Sequence, residues 1–120
     1  MTFILKILIG VVALEHIYIL WIEMFAWTTK GASTFKTLPK ELFPQTKSLA
    51  ANQGLYNGFL SAGLIWSLLI TDKIWSKNIA TFFLSCIVIA AIYGAITSSK
   101  SIIIKQGLPA MITLSLLFLL

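Results

Sequence analysis

Three ionisable side chains stand inside the first apolar run of this chain: Glu15, His16 and Glu23, within EHIYILWIEMF. A charge at the centre of a bilayer costs on the order of 3 kcal/mol, so such groups in a spanning segment face one another, a cavity or a functional partner. At 3.6 residues per turn, His16 and Glu23 fall within about 20° of each other around a helix axis. Glu15 is rotated by about 80° to 100° from both, and Glu23 lies about 12 Å from Glu15 along the axis. The three line one broad stripe. Its natural chemistry is proton handling, because a carboxyl and a neighbouring imidazole can hold and pass a proton. The alternative is a set of groups that only hydrogen-bond to their neighbours.

Other chemistries have less support. About 10 Å of helix separates His16 from Glu23, whereas one metal ion wants donors within roughly 3 to 4 Å of each other. There is no second histidine, so a metal would need Glu15, His16 and Cys86 together, and no metal site is expected. Ser61 and Ser85 lack a nucleophile-elbow setting, and Cys86 has no cationic neighbour to activate its thiol. Phosphate-cradling glycine loops and dinucleotide fingerprints are absent, so no cofactor is expected. With a single cysteine, neither a disulfide framework nor a CxxC redox pair is available.

The elements that must position these groups follow from composition. The chain has 120 residues, 58% of them hydrophobic and 11% charged. Its mean hydropathy is +0.94. Soluble domains carry roughly a quarter charged residues, about twice this fraction, so the composition points to a membrane protein and excludes a soluble enzyme. All nine basic residues are lysines, against four acidic residues. Nucleic acid is not expected as a partner, since its recognition leans on clustered Lys with Arg forks, whereas these lysines separate apolar segments and face lipid headgroups.

Four segments have spanning length, about 3–27, 50–71, 78–97 and 102–120. Each can cross roughly 30 Å of hydrocarbon as a helix, the form that satisfies every backbone group without water. The expected fold is all-α: one membrane domain, 1–120, built as a four-helix transmembrane bundle with both termini on one side. The N-terminal stretch is read as the first span and not as a cleaved signal, because no small-residue cleavage site follows and the apolar pattern continues past His16. Lys30, Lys36, Lys40, Lys47, Lys100 and Lys105 fall on one side of the bundle; Lys6, Lys73 and Lys77 fall on the other. The positive-inside rule then puts the long basic loop, 28–49, in the cytoplasm. Trp27 and Trp75 are expected at opposite interfaces. In the loop, Phe35, Leu38, Leu42 and Phe43 recur at near-helical spacing, either as a segment lying among headgroups or as a solvated loop punctuated by Pro39 and Pro44.

Counting inward from the lysine-rich surface places Glu23, Gln53, Tyr56, Asn57, Tyr93 and Gln106 in one polar layer contributed by all four helices. A second layer at mid-depth holds Glu15 and His16 with Ser61, Ser85, Cys86, Thr113 and Ser115. A polar cavity open toward the lysine-rich face is therefore expected. On the second span, Gly54, Gly58 and Ala62 recur every fourth residue, a small-residue stripe for close helix approach; Cys86, Ala90 and Gly94 form a similar packing stripe on the third. Asn52, Gln53 and Asn57 serve either as ligand-binding amides or as interhelical glue.

EHIYILWIEMFAW, followed by NQGLYNGFLSAGL and later by QGLPA, resembles the small bacterial integral membrane proteins grouped as domain of unknown function 1304. The resemblance covers essentially the whole chain and takes in Glu15, His16, Glu23, Trp27, Asn52, Gln53, Tyr56, Asn57, Gln106 and Pro109. It implies a four-helix, multi-pass protein of the bacterial plasma membrane and carries no activity, substrate or cofactor with it. Three functions remain open. The bundle binds a small amphipathic or lipid-like molecule, to move it or transform it by acid-base chemistry. It is a structural or accessory subunit whose polar layer locks the helices. Or it is a proton-linked carrier, which at this size would be a homo-oligomer. Membrane lipid is a partner in every case.

Overall fold

The computed structural model describes residues 1–98, 100–101 and 103–120, with Ile103 described by its backbone alone. The described residues form five α-helices and no strand: α1 (Phe3–Phe25), the single turn α2 (Ala32–Thr34), α3 (Lys47–Leu69), α4 (Lys73–Thr97) and α5 (Leu108–Leu119). Two of these, α1 and α4, are long and apolar enough to cross a membrane.

Local chemistry sets the boundaries. Thr2 caps α1 by accepting from the Leu5 amide at 3.3 Å. Asp72 caps α4, accepting from the Ile74 and Trp75 amides at 3.0 Å each. That carboxylate satisfies orphan amides at the positive end of the helix, so α4 begins at Lys73 and not near residue 78. Helix α3 likewise starts three residues ahead of expectation, at Lys47. Helix α1 stops at Phe25, because the Ala26 carbonyl accepts from the Gly31 amide at 2.8 Å and winds Trp27–Gly31 into a wider π turn. A second π turn, Ile103–Gly107, leads into α5, and Pro109 sits in the first turn of that helix, where no hydrogen bond is lost. Ile102, the expected start of the fourth span, lies outside the described residues.

The four longer helices pack in a ring: α1 against α3 most extensively, α3 against α4, α4 against α5, and α5 back against α1. Their shared core is built from Leu5, Ile9, Val12 and Ala13 of α1, Leu64 of α3, Leu84 and Ile87 of α4, and Ala110 and Leu117 of α5. Both chain ends come to the end of the array that carries the α3–α4 turn. Met1 borders a small hollow with Leu69, Thr71 and Lys73, and the Lys77 ammonium stands 5.8 Å from the Phe118 ring centre.

The α1–α3 contact is close because glycine sits in it. A Cβ added at Gly54 would meet the Met24 Cγ at 2.7 Å and the Glu23 Cβ at 3.0 Å; one added at Gly58 would meet Leu20 Cδ1 at 2.6 Å. Ala62 is not the third member of this stripe, for it is exposed. Four residues advance about 400° around a helix, so a strict four-residue repeat drifts off the interface by about 40° per step. Ser61 takes the place instead, its hydroxyl donating to the Ala13 carbonyl at 2.9 Å.

Candidate functional site

A cleft of about 940 Å³ opens at the end of the array opposite the chain termini. Helix α1 supplies His16 and Glu23 along one side, with Trp27 of the π turn beyond it; α3 supplies Gln53, Tyr56, Asn57, Phe59 and Leu60; α4 supplies Cys86, Ile87, Ala90 and Gly94. Residues Thr34 to Leu38 and the stretch that carries Lys105 and Gln106 complete the mouth. The helical rise grades these groups by depth: Glu23 lies about 6 Å inward of Trp27, and His16 about 10 Å farther in.

Across the α1–α3 seam, the Asn57 amide donates to Glu23 Oε1 at 2.5 Å. This bond ties the acid to the helix that Gly54, one turn before Asn57, and Gly58, the residue after it, bring close. At the inner end, His16 is buried and its Nδ1–H donates to the Val12 carbonyl at 2.9 Å. That bond fixes the tautomer and leaves Nε2 as the nitrogen through which the ring can address the cleft.

Of the polar residues singled out in the sequence, His16, Glu23, Gln53, Tyr56, Asn57 and Gln106 line this one cleft. Two do not. Tyr93 is 69% exposed and off the cleft, because Ala90 and Gly94 occupy the face of α4 that turns inward. Glu15 points away from the cleft, as its rotation from His16 and Glu23 dictates; its Oε1 lies 3.9 Å from His16 Nδ1, beyond hydrogen-bonding distance. Cys86, Ala90 and Gly94, expected as a packing stripe, line the cleft. Their small side chains leave the room that a larger set would fill.

Of the second polar layer, His16 and Cys86 line the cleft and the others turn elsewhere. Ser61 is spent on the Ala13 carbonyl, Thr113 donates to its own helix at Pro109, and Ser115 is exposed. Among the described residues, no three His, Cys, Asp or Glu side chains gather as a metal-ligating group.

The loop contributes walls that its polar composition conceals. Trp27 leaves the end of α1 and turns back over the loop, its ring centre 4.7 Å from Phe43 and 5.5 Å from Phe35, with its indole N–H donating to Thr46 Oγ1 at 3.0 Å. Phe43 is 1% exposed. The segment is pinned by these aromatic contacts and walls the cleft with Phe35, Lys36 and Leu38. The recurrence of Phe35, Leu38 and Phe43 between lysines was the available signal for these residues. Nothing in their spacing identified Trp27 as the partner.

Residues 10–118 match the family described as protein of unknown function, DUF1304. The chain is similar to the uncharacterized protein YpaA of Lactococcus lactis subsp. lactis (strain IL1403), 37% identical over 109 residues that cover 89% of this chain and 90% of that protein. No solved structure matches. With the family match reaching into all four longer helices and covering every residue of the cleft, the chain belongs to the DUF1304 family.

Proposed function

We propose that this protein is a multi-pass integral membrane protein of the bacterial plasma membrane, a four-helix bundle whose cleft binds a small amphipathic molecule. Two helices of spanning length and a largely apolar outer surface, with Phe3, Leu14, Phe25, Phe82, Ile89 and Ile96 all more than 60% exposed, support membrane residence. The lysine bias toward the cleft's end supports placing the long loop in the cytoplasm. The observation that carries the binding reading is the cleft's gradation: lysines at the mouth, the Glu23–Asn57 pair below them, and Leu60, Ile87 and the His16 ring at the floor. Ligand pockets of roughly 300 to 1,000 Å³ with apolar walls and a few converging polar groups are the usual form of small-molecule sites.

Glu23→Gln and Asn57→Leu, each purified in a neutral detergent, are expected to retain their helix content and to bind a fluorescent single-chain amphiphile about tenfold more weakly than the parent protein. That is the effect of about 1.4 kcal/mol from a disrupted polar contact. Folded variants that bind as the parent does, and that fully complement a deletion phenotype, would contradict the proposal.

A second reading, proton-linked transport, draws on one observation. Glu15 Oε1 is buried without a hydrogen-bond partner among the described residues, and it sits 3.9 Å from the imidazole whose ring lines the cleft. A small movement would connect carboxyl, imidazole and cleft in one proton path. Uptake into proteoliposomes should then respond to an imposed pH gradient and be lost in Glu15→Gln, whereas a passive binding protein shows neither effect.

A further inference from the structure

The cleft has a second opening, sideways between α3 and α4. Near their connecting turn the two helices are in contact: the site for a Cβ on Gly63 lies 2.3 Å from the Phe83 ring, and Leu64 and Leu84 share the core. Toward the other end they part, and Asn57 and Leu60 of α3 face Ala90 and Gly94 of α4 across the cleft. Tyr56 and Phe59 line this gap while 59% and 54% exposed, so the wall here opens to the outside of the array. Their rings meet edge to face at 5.8 Å and form one jamb of the opening; the exposed Ala90 forms the other. Charge is distributed unevenly along the same path. The lining holds Lys36 and Lys105 at the mouth, neither paired with a carboxylate among the described residues, against a single acid, Glu23, which accepts from Asn57 deeper in.

The geometry points to a single-chain anionic membrane amphiphile as the ligand, entering laterally from the bilayer between α3 and α4, with its headgroup held by Lys36 and Lys105 and its acyl chain along Leu60, Ile87 and Ala90. This assignment rests on the reading of the cleft as an amphiphile site and adds the headgroup charge and the route. A phosphate or carboxylate head satisfies two unpaired ammonium groups at the surface, where the lipid interface already lies. A hydrophobic tail that enters sideways never has to cross water. Ala90 is small where a larger side chain would close the passage.

The test is retention of lipid by the full-length protein in maltoside micelles, read by native mass spectrometry, with lysophosphatidic acid, lysophosphatidylcholine of the same acyl chain, and inorganic phosphate as probes. The expected result is about tenfold greater retention of the anionic lipid, abolished when Lys36→Ala and Lys105→Ala are combined, and no competition from phosphate. Ala90→Trp, an exposed position that tolerates bulk, should reduce uptake of the anionic lipid from vesicles by tenfold or more while helix content is unchanged. Equal retention of both lipids, lost in Glu23→Gln, overturns the headgroup assignment and leaves the amphiphile site standing. Retention of neither lipid overturns both. Phosphate competing as well as the lipid would identify a plain anion site, and Ala90→Trp taking up lipid normally would overturn the lateral route.

Discussion

Gly54→Leu should cost about 3 kcal/mol or more of stability, and Gly54→Ala about 1 to 3 kcal/mol. At this position of α3, a Cβ comes within 2.7 Å of Met24 Cγ, 3.0 Å of Glu23 Cβ and 3.2 Å of the Leu20 carbonyl oxygen. Methionine can swing its chain aside, but a Cβ and a carbonyl oxygen move only with the helix that carries them. Any side chain here therefore pushes α1 and α3 apart, along the most extensive helix contact in the molecule. In a lipid environment, that contact is held by close packing and not by expulsion of water, so lost approach is not recovered by burying a larger apolar group. The Glu23–Asn57 hydrogen bond spans the same seam one turn away, so the variant should lose amphiphile binding together with stability. Unfolding in mixed micelles by titration with a denaturing detergent measures the first effect. A Gly54→Leu protein within about 0.5 kcal/mol of the parent would show that the helices are not in this register.

Trp27→Ala should release the loop while the long helices persist. The indole packs on Phe43 and Phe35 and donates to Thr46, whose hydroxyl in turn donates to the Leu42 carbonyl at 2.8 Å. One side chain thus joins the end of α1 to both halves of the 32–46 segment. Trp27 is half-buried, so its removal should cost about 3 kcal/mol, the low end for a buried aromatic, taken mainly from the local stability of the loop. Trypsin cleavage after Lys36 and Lys40 should accelerate by about a hundredfold or more, since opening by about 3 kcal/mol changes the open population by that factor. Trp27→Phe keeps the stacking and loses the hydrogen bond, so it should fall between, about 1 kcal/mol from the parent. Unchanged cleavage in Trp27→Ala would mean that the loop is held by something other than this cluster.

Which polar residues border the cleft was partly readable before the structure, and orientation around the helices was not. Counting from a surface at a fixed rise sets Glu23, Gln53, Tyr56, Asn57 and Gln106 at one level, and these are residues that line the cleft. Counting gives no azimuth relative to neighbours, which is why Tyr93, at the same level, turns outward and Glu15 misses the cleft by its rotation on α1. The same limit explains Ala62. A four-residue repeat and a 3.6-residue turn agree over one step, as for Gly54 and Gly58, and part by the next, where Ser61 faces α1. The start of α4 five residues ahead of expectation follows from Asp72, whose carboxylate caps the polar KIWSKN stretch and makes its first turn helical.

Taken alone, the order of residues determined that the chain is helical: its apolar runs of 20 or so residues have the length of helices, the form that, in the membrane proposed above, pairs every backbone polar group. It also determined which residues could share a level. Tertiary structure alone decided that α3 and α4 diverge to leave a cleft, that the Cys86, Ala90 and Gly94 positions border space and do not seal it, and that Trp27 folds the basic loop across the mouth. Each of these depends on how helix faces rotate and splay against one another. That is set by close contacts between residues distant in the chain, such as Gly54 on Met24, Gly63 on Phe83 and Trp27 on Phe43, which no local periodicity encodes.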